Sequence, residues 1–354
     1  MSKIKVLLHN YTNQLGGSTM VTYNIAKYLP NDKYECHLLF HTRGLNEETQ
    51  NPLDAYESAY LIPDDSHTLI EQSIEYIKQF DIVIDNLVPL EFRGRIRTKV
   101  RKPIINILHS VAGWNRIKDQ YKMQLPYIEN NKYNQGQDII PDAFVCISQE
   151  LREIVEQDIN DWSNEHGIFY NPDVRTILNC VHLPNSISTP PKQKTIIYVG
   201  RISSDKGIDR LLKVMDELSD YKCKVIGSPS DTRLFWMWNI LKEQFPDIEF
   251  IEATKDVNSH YKEASCILIT SPAEGIPLVL CEAQGFGVKA FHIKNLGSTP
   301  ESGSEECFDI NEMVDKVVNY QDTEFNRLIN RAKADKFSID VCIDKWIRVL
   351  QDVL

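Results

Sequence analysis

The sequence predicts an α/β chain built from two doubly wound parallel sheets, one in each of two domains. Three observations carry that reading. At 354 residues the chain exceeds one typical domain and suits two. Short apolar runs rich in β-branched residues alternate with stretches of helical periodicity, the pattern of a parallel sheet with crossover helices. Near the middle, the Pro/Ser-rich, apolar-poor stretch 183–193 breaks this alternation, as a connector does. The expected organisation is a first domain over 1–185, a linker over 186–194, a second domain over 195–337, and a closing helix over 338–354 that crosses back to the first domain.

Bulk properties narrow the function. Hydrophobic content of 42% and charged content of 25% are ordinary for a soluble globular chain. The net charge of −11 at pH 7 disfavours a general nucleic-acid binder. No apolar run reaches the roughly eighteen residues of a membrane span, and Lys3–His9 reads as a first strand rather than a signal peptide. The eight cysteines are scattered with no C-x-x-C pair. They read as small buried hydrophobes in a reducing compartment, which suggests a cytoplasmic protein. No metal site and no cofactor are expected.

In the first domain, strands are expected at Lys3–His9, Tyr34–Phe40, Asp81–Asp85, Pro103–Leu108 and Asp142–Ser148. The stretch 42–65 has no clear periodicity. Leu69, Ile70, Ile74 and Ile77 fall at helical spacing. After the first strand comes the pair Gly16–Gly17, where the backbone is able to approach a ligand, with Ser18 as the expected helix N-cap. A strand, a glycine pair and a helix start form a phosphate-capable turn, and no G-x-G-x-x-G follows to suggest a nicotinamide or flavin. His109 lies just past a strand's carboxyl end, where open α/β sheets bind ligands; there it is able to donate to a sugar hydroxyl or a phosphate. Ser148 reads as an N-cap, with Leu151 three residues on. The run 92–103 carries six basic residues and no acid, with Phe92, Ile96 and Val100 on one helical stripe. Such a patch suits either peripheral contact with an anionic membrane, extended by Trp114, Lys118, Tyr121 and Lys122, or a core-facing stripe with a solvated face.

The second domain opens with the buried strand Thr195–Gly200, followed by Arg201 and Lys206. Two cations at a strand's carboxyl end suit a diphosphate, the arginine as a fork and the lysine as a point charge. Cys223–Gly227 and Ile248–Glu252 are further strands, Val257–Ala264 a short helix, and Phe235, Trp236 and Trp238 core or interface residues. Cys266–Thr270 is a strand, and the stretch Ser271-Pro-Ala-Glu-Gly-Ile-Pro-Leu-Val-Leu-Cys-Glu-Ala-Gln284 follows it. Ser271, Pro272, Gly275 and Pro277 break regular structure, and a helix begins at Leu278 with Pro277 at its first turn. The free N–H groups of that terminus favour phosphate. Glu274 and Glu282 frame it, and carboxylates accept hydrogen bonds from a ligand rich in hydroxyls. Phosphate plus hydroxyl acceptors describes a sugar nucleotide. Gly287–His292 is a last strand, Gly297-Ser298-Thr299 a glycine-bearing loop, and Asp340–Leu354 a helix.

The E-x7-E spacing of Glu274 and Glu282, embedded in this strand–loop–helix, resembles the retaining, GT-B-fold glycosyltransferases of family 4. Gly200, Arg201, Lys206 and Gly207 match that family's G-R-x4-K-G pattern. The resemblance is specific over 195–300 and thinner in the first domain, where it rests on Gly16–Gly17, His109 and strand order. It implies two Rossmann-like domains facing across a cleft and transfer of a sugar from a nucleoside-diphosphate sugar, a UDP-sugar first and a GDP-sugar second, with Arg201, Lys206, Glu274 and His109 at the reaction. Gly16, Gly17, Gly200, Gly227, Gly275, Ile276, Pro277, Leu278, Val279 and Glu282 would line the donor site. No D-x-D is evident near the site, so the cations would stand in for a metal, and retention would follow front-face attack. The expected acceptor is a glycan or lipid-linked glycan in cell-surface polysaccharide synthesis. Two other readings stay open: a non-transferring sugar-nucleotide or glycan-binding partner of another enzyme, and a sugar-nucleotide epimerase of similar architecture.

Overall fold

A computed structural model describes residues 2–13, 16–42, 50–63, 68–86, 88, 99–100, 102–123, 141–167, 172–229, 235–295, 297 and 299–354, with side chains for all of these except 235–237. The chain divides into two compact units, one of residues 1–180 with 339–354 and one of 181–338.

The first unit holds β1 (Ile4–Asn10), α1 (Gly17–Tyr28), β2 (Tyr34–Phe40), β3 (Ser58–Leu61), α2 (Leu69–Ile77), β4 (Ile82–Asn86), β5 (Ile104–Leu108), α3 (Val111–Lys122), β6 (Ala143–Cys146), α4 (Gln149–His166) and β7 (Asp173–Thr176). Its sheet runs in the order β3-β2-β1-β4-β5-β6-β7, and the described pairings are parallel, with Val6 opposite Cys36 on one side and Ile82 on the other. Val6, Leu7 and Leu8 are fully buried, as a strand covered on both faces requires.

The second unit holds β8 (Thr195–Val199), α5 (Ile208–Asp216), β9 (Lys222–Ile226), α6 (Phe235–Gln244), β10 (Ile248–Ile251), α7 (Val257–Lys262), β11 (Cys266–Ile269), α8 (Leu278–Gly285), β12 (Lys289–Ile293), β13 (Glu305–Cys307), α9 (Ile310–Asn319) and α10 (Glu324–Ala334). Its sheet runs β10-β9-β8-β11-β12-β13, again with parallel pairings. Both sheets therefore reverse strand order once, between β1 and β4 and between β8 and β11. A crevice opens at the carboxyl end of such a reversal, and this is where doubly wound sheets take ligands.

The helix α11 (Ile339–Val353) belongs to the first unit. Its 3.6-residue stripe of Cys342, Ile343, Trp346, Val349 and Leu350 is buried in the same cluster as Val21 and Ile25 of α1 and Val6 and Leu8 of β1. The chain passes between units at 180–181 and again at 338–339, and Val181 N–H donates to Phe337 O at 2.8 Å beside the second passage.

Several expectations are corrected. Ser18 is not the cap of α1; the helix starts at Gly17 with Gly16 in extended conformation before it. The stretch 42–65 contains an edge strand, β3. Trp114 and Tyr121, which one of the two readings of the basic patch put at a membrane-facing surface, are 1% and 3% exposed and stack on one another at 5.6 Å within an aromatic cluster that includes Phe144 and Trp162. Lys118 and Lys122 pair with Asp158 and Glu165. Of the basic run 92–103, residues 92–98 and 101 lie outside the described residues; Val100 packs against the core formed by Ile70, Ile74 and Phe80. The connector at 186–194 is tied to the second unit: Ser188 N–H and Oγ both donate to Phe286 O, at 3.0 and 2.9 Å, and Arg327 Nη1 donates to Ser188 Oγ at 2.5 Å. Trp238, expected as a core or interface residue, is buried in the core, 3% exposed. All eight cysteines are buried free thiols.

Candidate functional site

In the second unit, the loops after β8 and β11 meet at the reversal of strand order. Gly207 ends the first loop with φ of 68°. Three hydroxyls fix the main chain just before it. Tyr198 Oη donates to Arg201 O at 3.0 Å and reaches Lys206 O at 3.3 Å. Thr270 Oγ1 donates to Gly207 O at 2.8 Å, and Ser271 Oγ lies 3.4 Å from Lys206 O. Tyr198 of β8 and the turn after β11 thus hold the loop that carries Lys206. Lys206 Nζ donates to Glu274 Oε1 at 2.5 Å, with 26% and 15% of the two side chains exposed. An ammonium has three protons, and one of them goes to Glu274. Arg201 does not join this pair. Its guanidinium is about half exposed and donates to Asp205 at 3.0 Å, where the sequence places it facing the acids.

The loop bearing Glu274 is held from behind. Gly297 has φ of 133°, and a Cβ there would stand 1.7 Å from Glu274 O; only glycine lets the two main chains approach so closely. Thr299 Oγ1 donates to Gly275 O at 3.2 Å. Of the expected loop Gly297-Ser298-Thr299, Ser298 lies outside the described residues. Ile276 and Leu278 bury their side chains, 3% and 8% exposed, and Val279 packs partly buried beside Leu280 and Ala283. What these residues offer a ligand is therefore main chain.

Helix α8 starts after Pro277 with no side-chain cap. Leu280 and Cys281 N–H groups bond to Pro277 O, while those of Leu278 and Val279 find no acceptor among the described residues. Two such amides at a positive dipole end are able to hold an anion. Glu282, just over one turn further on, accepts from Tyr261 Oη at 2.9 Å. Burial pushes its carboxyl above the usual range, and the Tyr261 bond opposes that rise. Gly200 and Gly227 come together behind the loop of Arg201: φ at Gly227 is 153°, and a Cβ would stand 1.8 Å from Gly200 O. Close packing of β8 against β9 is by itself a sufficient reason for glycine at 227.

In the first unit, Gly16 and Gly17 open α1 at the carboxyl end of β1, again with no side-chain cap. His109 follows β5. Its Nε2 lies 2.5 Å from Asn86 Oδ1, and Ser110 beside it caps α3 by accepting from Gly113 N–H at 2.9 Å. Desolvation lowers the His109 pKa to about 4, so its imidazole is neutral near pH 7.

The structure therefore brings together Lys206, Glu274, Gly275 and the opening of α8 within the second unit, with Glu282 on the same helix and Arg201 turned to Asp205. Gly16, Gly17 and His109 gather around the switch point of the first unit. Sequence reasoning missed Tyr261, which holds Glu282, and Asn86, which holds His109. Tyr261 lies in a short helix and Asn86 at a strand end, neither with a motif around it; their partners are 21 and 23 residues away. Thr270 and Ser271 adjoin the motif but gave no sign that they brace the other loop.

Residues 183–306 match the family described as glycosyl transferases group 1, a stretch wholly within the second unit. The chain is 24% identical to an uncharacterized glycosyltransferase of Haemophilus influenzae, across 99% of this chain and 100% of that protein. Its fold is similar to that of Anabaena Alr3699/HepE, solved in complex with UDP and glucose, at a TM-score of 0.75 and 14% identity, covering 98% of this chain and 99% of the other. It is also similar to the lipopolysaccharide outer core galactosyltransferase WaaB in its apo form, at a TM-score of 0.63 and 17% identity, covering 99% of this chain and all of that one. The fold is thus that of the GT-B glycosyltransferases: α/β, with two parallel-sheet domains. Among the described residues no helix is long and apolar enough to cross a membrane.

Proposed function

We propose that this chain is a glycosyltransferase that moves a sugar from a nucleoside-diphosphate sugar, a UDP-sugar first, to a glycan or lipid-linked glycan acceptor. The observation that carries the reading is the Lys206–Glu274 pair at the β8/β11 reversal, beside the uncapped start of α8. Breaking a glycosyl phosphate bond leaves charge on the departing nucleoside diphosphate. In the proposed mechanism the spare protons of Lys206 and the amides of Leu278 and Val279 hold that charge. Arg201 joins by exchanging Asp205 for a phosphate oxygen. Preorganised donors of this kind stabilise the transition state more than the ground state. Glu274, held in place by Lys206 and by the close approach of Gly297, accepts from hydroxyls of the sugar, and Glu282 accepts from the ribose. Retention by front-face attack belongs to this reading, supported by the resemblance to family 4. The UDP bound by HepE and the group 1 family match support the donor class.

The test compares wild type with Lys206→Ala and Glu274→Ala, incubated with UDP-sugars and glycan acceptors while free UDP and glycoside are measured. Each variant is expected to lose about 100-fold or more in kcat, the scale of one lost transition-state donor, while its melting temperature stays close to wild type. Near-normal turnover in both variants overturns the assignment, as does a new sugar epimer in place of glycoside.

A further inference from the structure

Asn86 ends β4 with no exposed surface. Its Nδ2 donates to Ser18 O at 3.1 Å and to Asn10 Oδ1 at 3.0 Å. Ser18 O is a main-chain carbonyl in the first turn of α1 and has no proton to give, so the nitrogen end of the Asn86 amide must face it. Both amide protons are then used, and the oxygen end is left to His109, whose Nε2 lies 2.5 Å away. An amide oxygen only accepts. The proton between them therefore sits on His109 Nε2, and the lone pair is on Nδ1, which has no partner among the described residues. Asn10 is locked the same way: its Nδ2 donates to Thr22 Oγ1 at 3.0 Å, and Thr22 Oγ1 donates to Thr19 O at 2.8 Å. The chain of donors ends on main-chain carbonyls of α1 at both branches, so no amide in it is able to flip without losing a bond.

We propose that Asn86 is a positioning residue that holds His109 in its Nε2–H tautomer, so that Nδ1 presents a hydrogen-bond acceptor to a hydroxyl of a sugar bound at the switch point of the first unit. This rests on the glycosyltransferase reading and reverses the donor role that the sequence suggests for His109. A lone pair accepts a hydrogen bond from a sugar hydroxyl and repels a phosphate oxygen, so His109 reads a hydroxyl and not a phosphate. The depressed His109 pKa agrees, because a neutral ring is needed for an acceptor. The same Asn86 amide grips the first turn of α1, so the glycine turn and the histidine share one support.

The deciding experiment is ring-nitrogen spectroscopy on the full ¹⁵N-labelled chain at pH 7, with His109 assigned by its absence in His109→Gln. The expected pattern has Nε2 protonated and Nδ1 bare. A protonated Nδ1, alone or in an imidazolium, overturns the proposal. In Asn86→Ala the pattern should relax to a mixture of tautomers, and kcat/KM for the UDP-sugar should fall roughly tenfold, the scale of one hydrogen bond. The thermal shift caused by UDP alone should stay unchanged, since those contacts lie in the second unit. An unaltered spectrum in Asn86→Ala overturns the positioning role. If wild type shows neither a UDP shift nor transfer, the glycosyltransferase reading and the sugar hydroxyl fall together, while the spectrum still decides the tautomer. If Asn86→Ala does not fold, the wild-type spectrum alone decides.

Discussion

His109 illustrates how one residue ties the site to stability. Desolvation takes its pKa from an ordinary 6.5 to about 4, so between those values the unfolded chain binds a proton that the folded chain refuses. The stabilising contribution is complete above pH 6.5 and is lost as pH falls toward 4. At pH 5 the wild type should have lost on the order of 1–2 kcal/mol relative to pH 7 through this group. Urea unfolding of wild type and His109→Gln at both pH values checks this, and equal losses in the two proteins would refute it. At this scale Lys206 and Glu274 were legible in the sequence because residue type, spacing and the flanking glycine and prolines all restrict what the loop does. Asn86 and Tyr261 were not legible. Each reaches its site residue across more than twenty positions of sequence, and nothing in the local sequence encodes such a contact.

At the scale of elements, buried strands were legible because a run of β-branched residues in a doubly wound sheet has few other fates. Helix ends were read less well. Ser148 caps α4 by accepting from Leu151 N–H at 3.1 Å, as its type and position suggest, whereas Ser18 lost the cap of α1 to Gly16. For α3 the sequence left a surface and a core reading open, because it is polar around Trp114 and Tyr121, and aromatics set in polar sequence look alike whether they face solvent or a core. The helix α10 carries a different surprise, since Arg327 is fully buried. Its guanidinium donates to Asp322 at 2.8 and 2.6 Å and to Ala264 O at 2.7 Å, and it anchors Ser188 of the connector. Removing the countercharge leaves a buried cation unpaired, so Asp322→Ala should cost about 3–5 kcal/mol. Chemical denaturation measures it, and a loss below about 1 kcal/mol would mean that the pair behaves like an exposed one.

At the scale of the molecule, the alternation of strands and helices is enough to foresee two parallel, doubly wound sheets, and both sheets reverse strand order once. The unit boundaries are harder to read. Composition marks 186–194 as connector, yet hydrogen bonds to Phe286 and Arg327 attach that segment to the second unit, because small polar residues serve as loop and as packing partner alike. The second unit is continuous, and its main core is built from residues of 181–338 alone. The first unit needs Trp346, Val349 and Leu350 from α11. Expressed separately, a fragment of 181–338 should melt cooperatively, and a fragment of 1–180 should not; calorimetry decides, and a cooperative transition in the shorter N-terminal piece would contradict the role given to α11. That arrangement sets an order of events during synthesis. Domains commonly fold as they leave the ribosome, the leading one first. Here the leading half must wait for 339–354, on the order of ten seconds or more at ordinary elongation rates, with the groove for Trp346 empty. Until then the face of the first sheet's core that takes Trp346, Val349 and Leu350 stays uncovered.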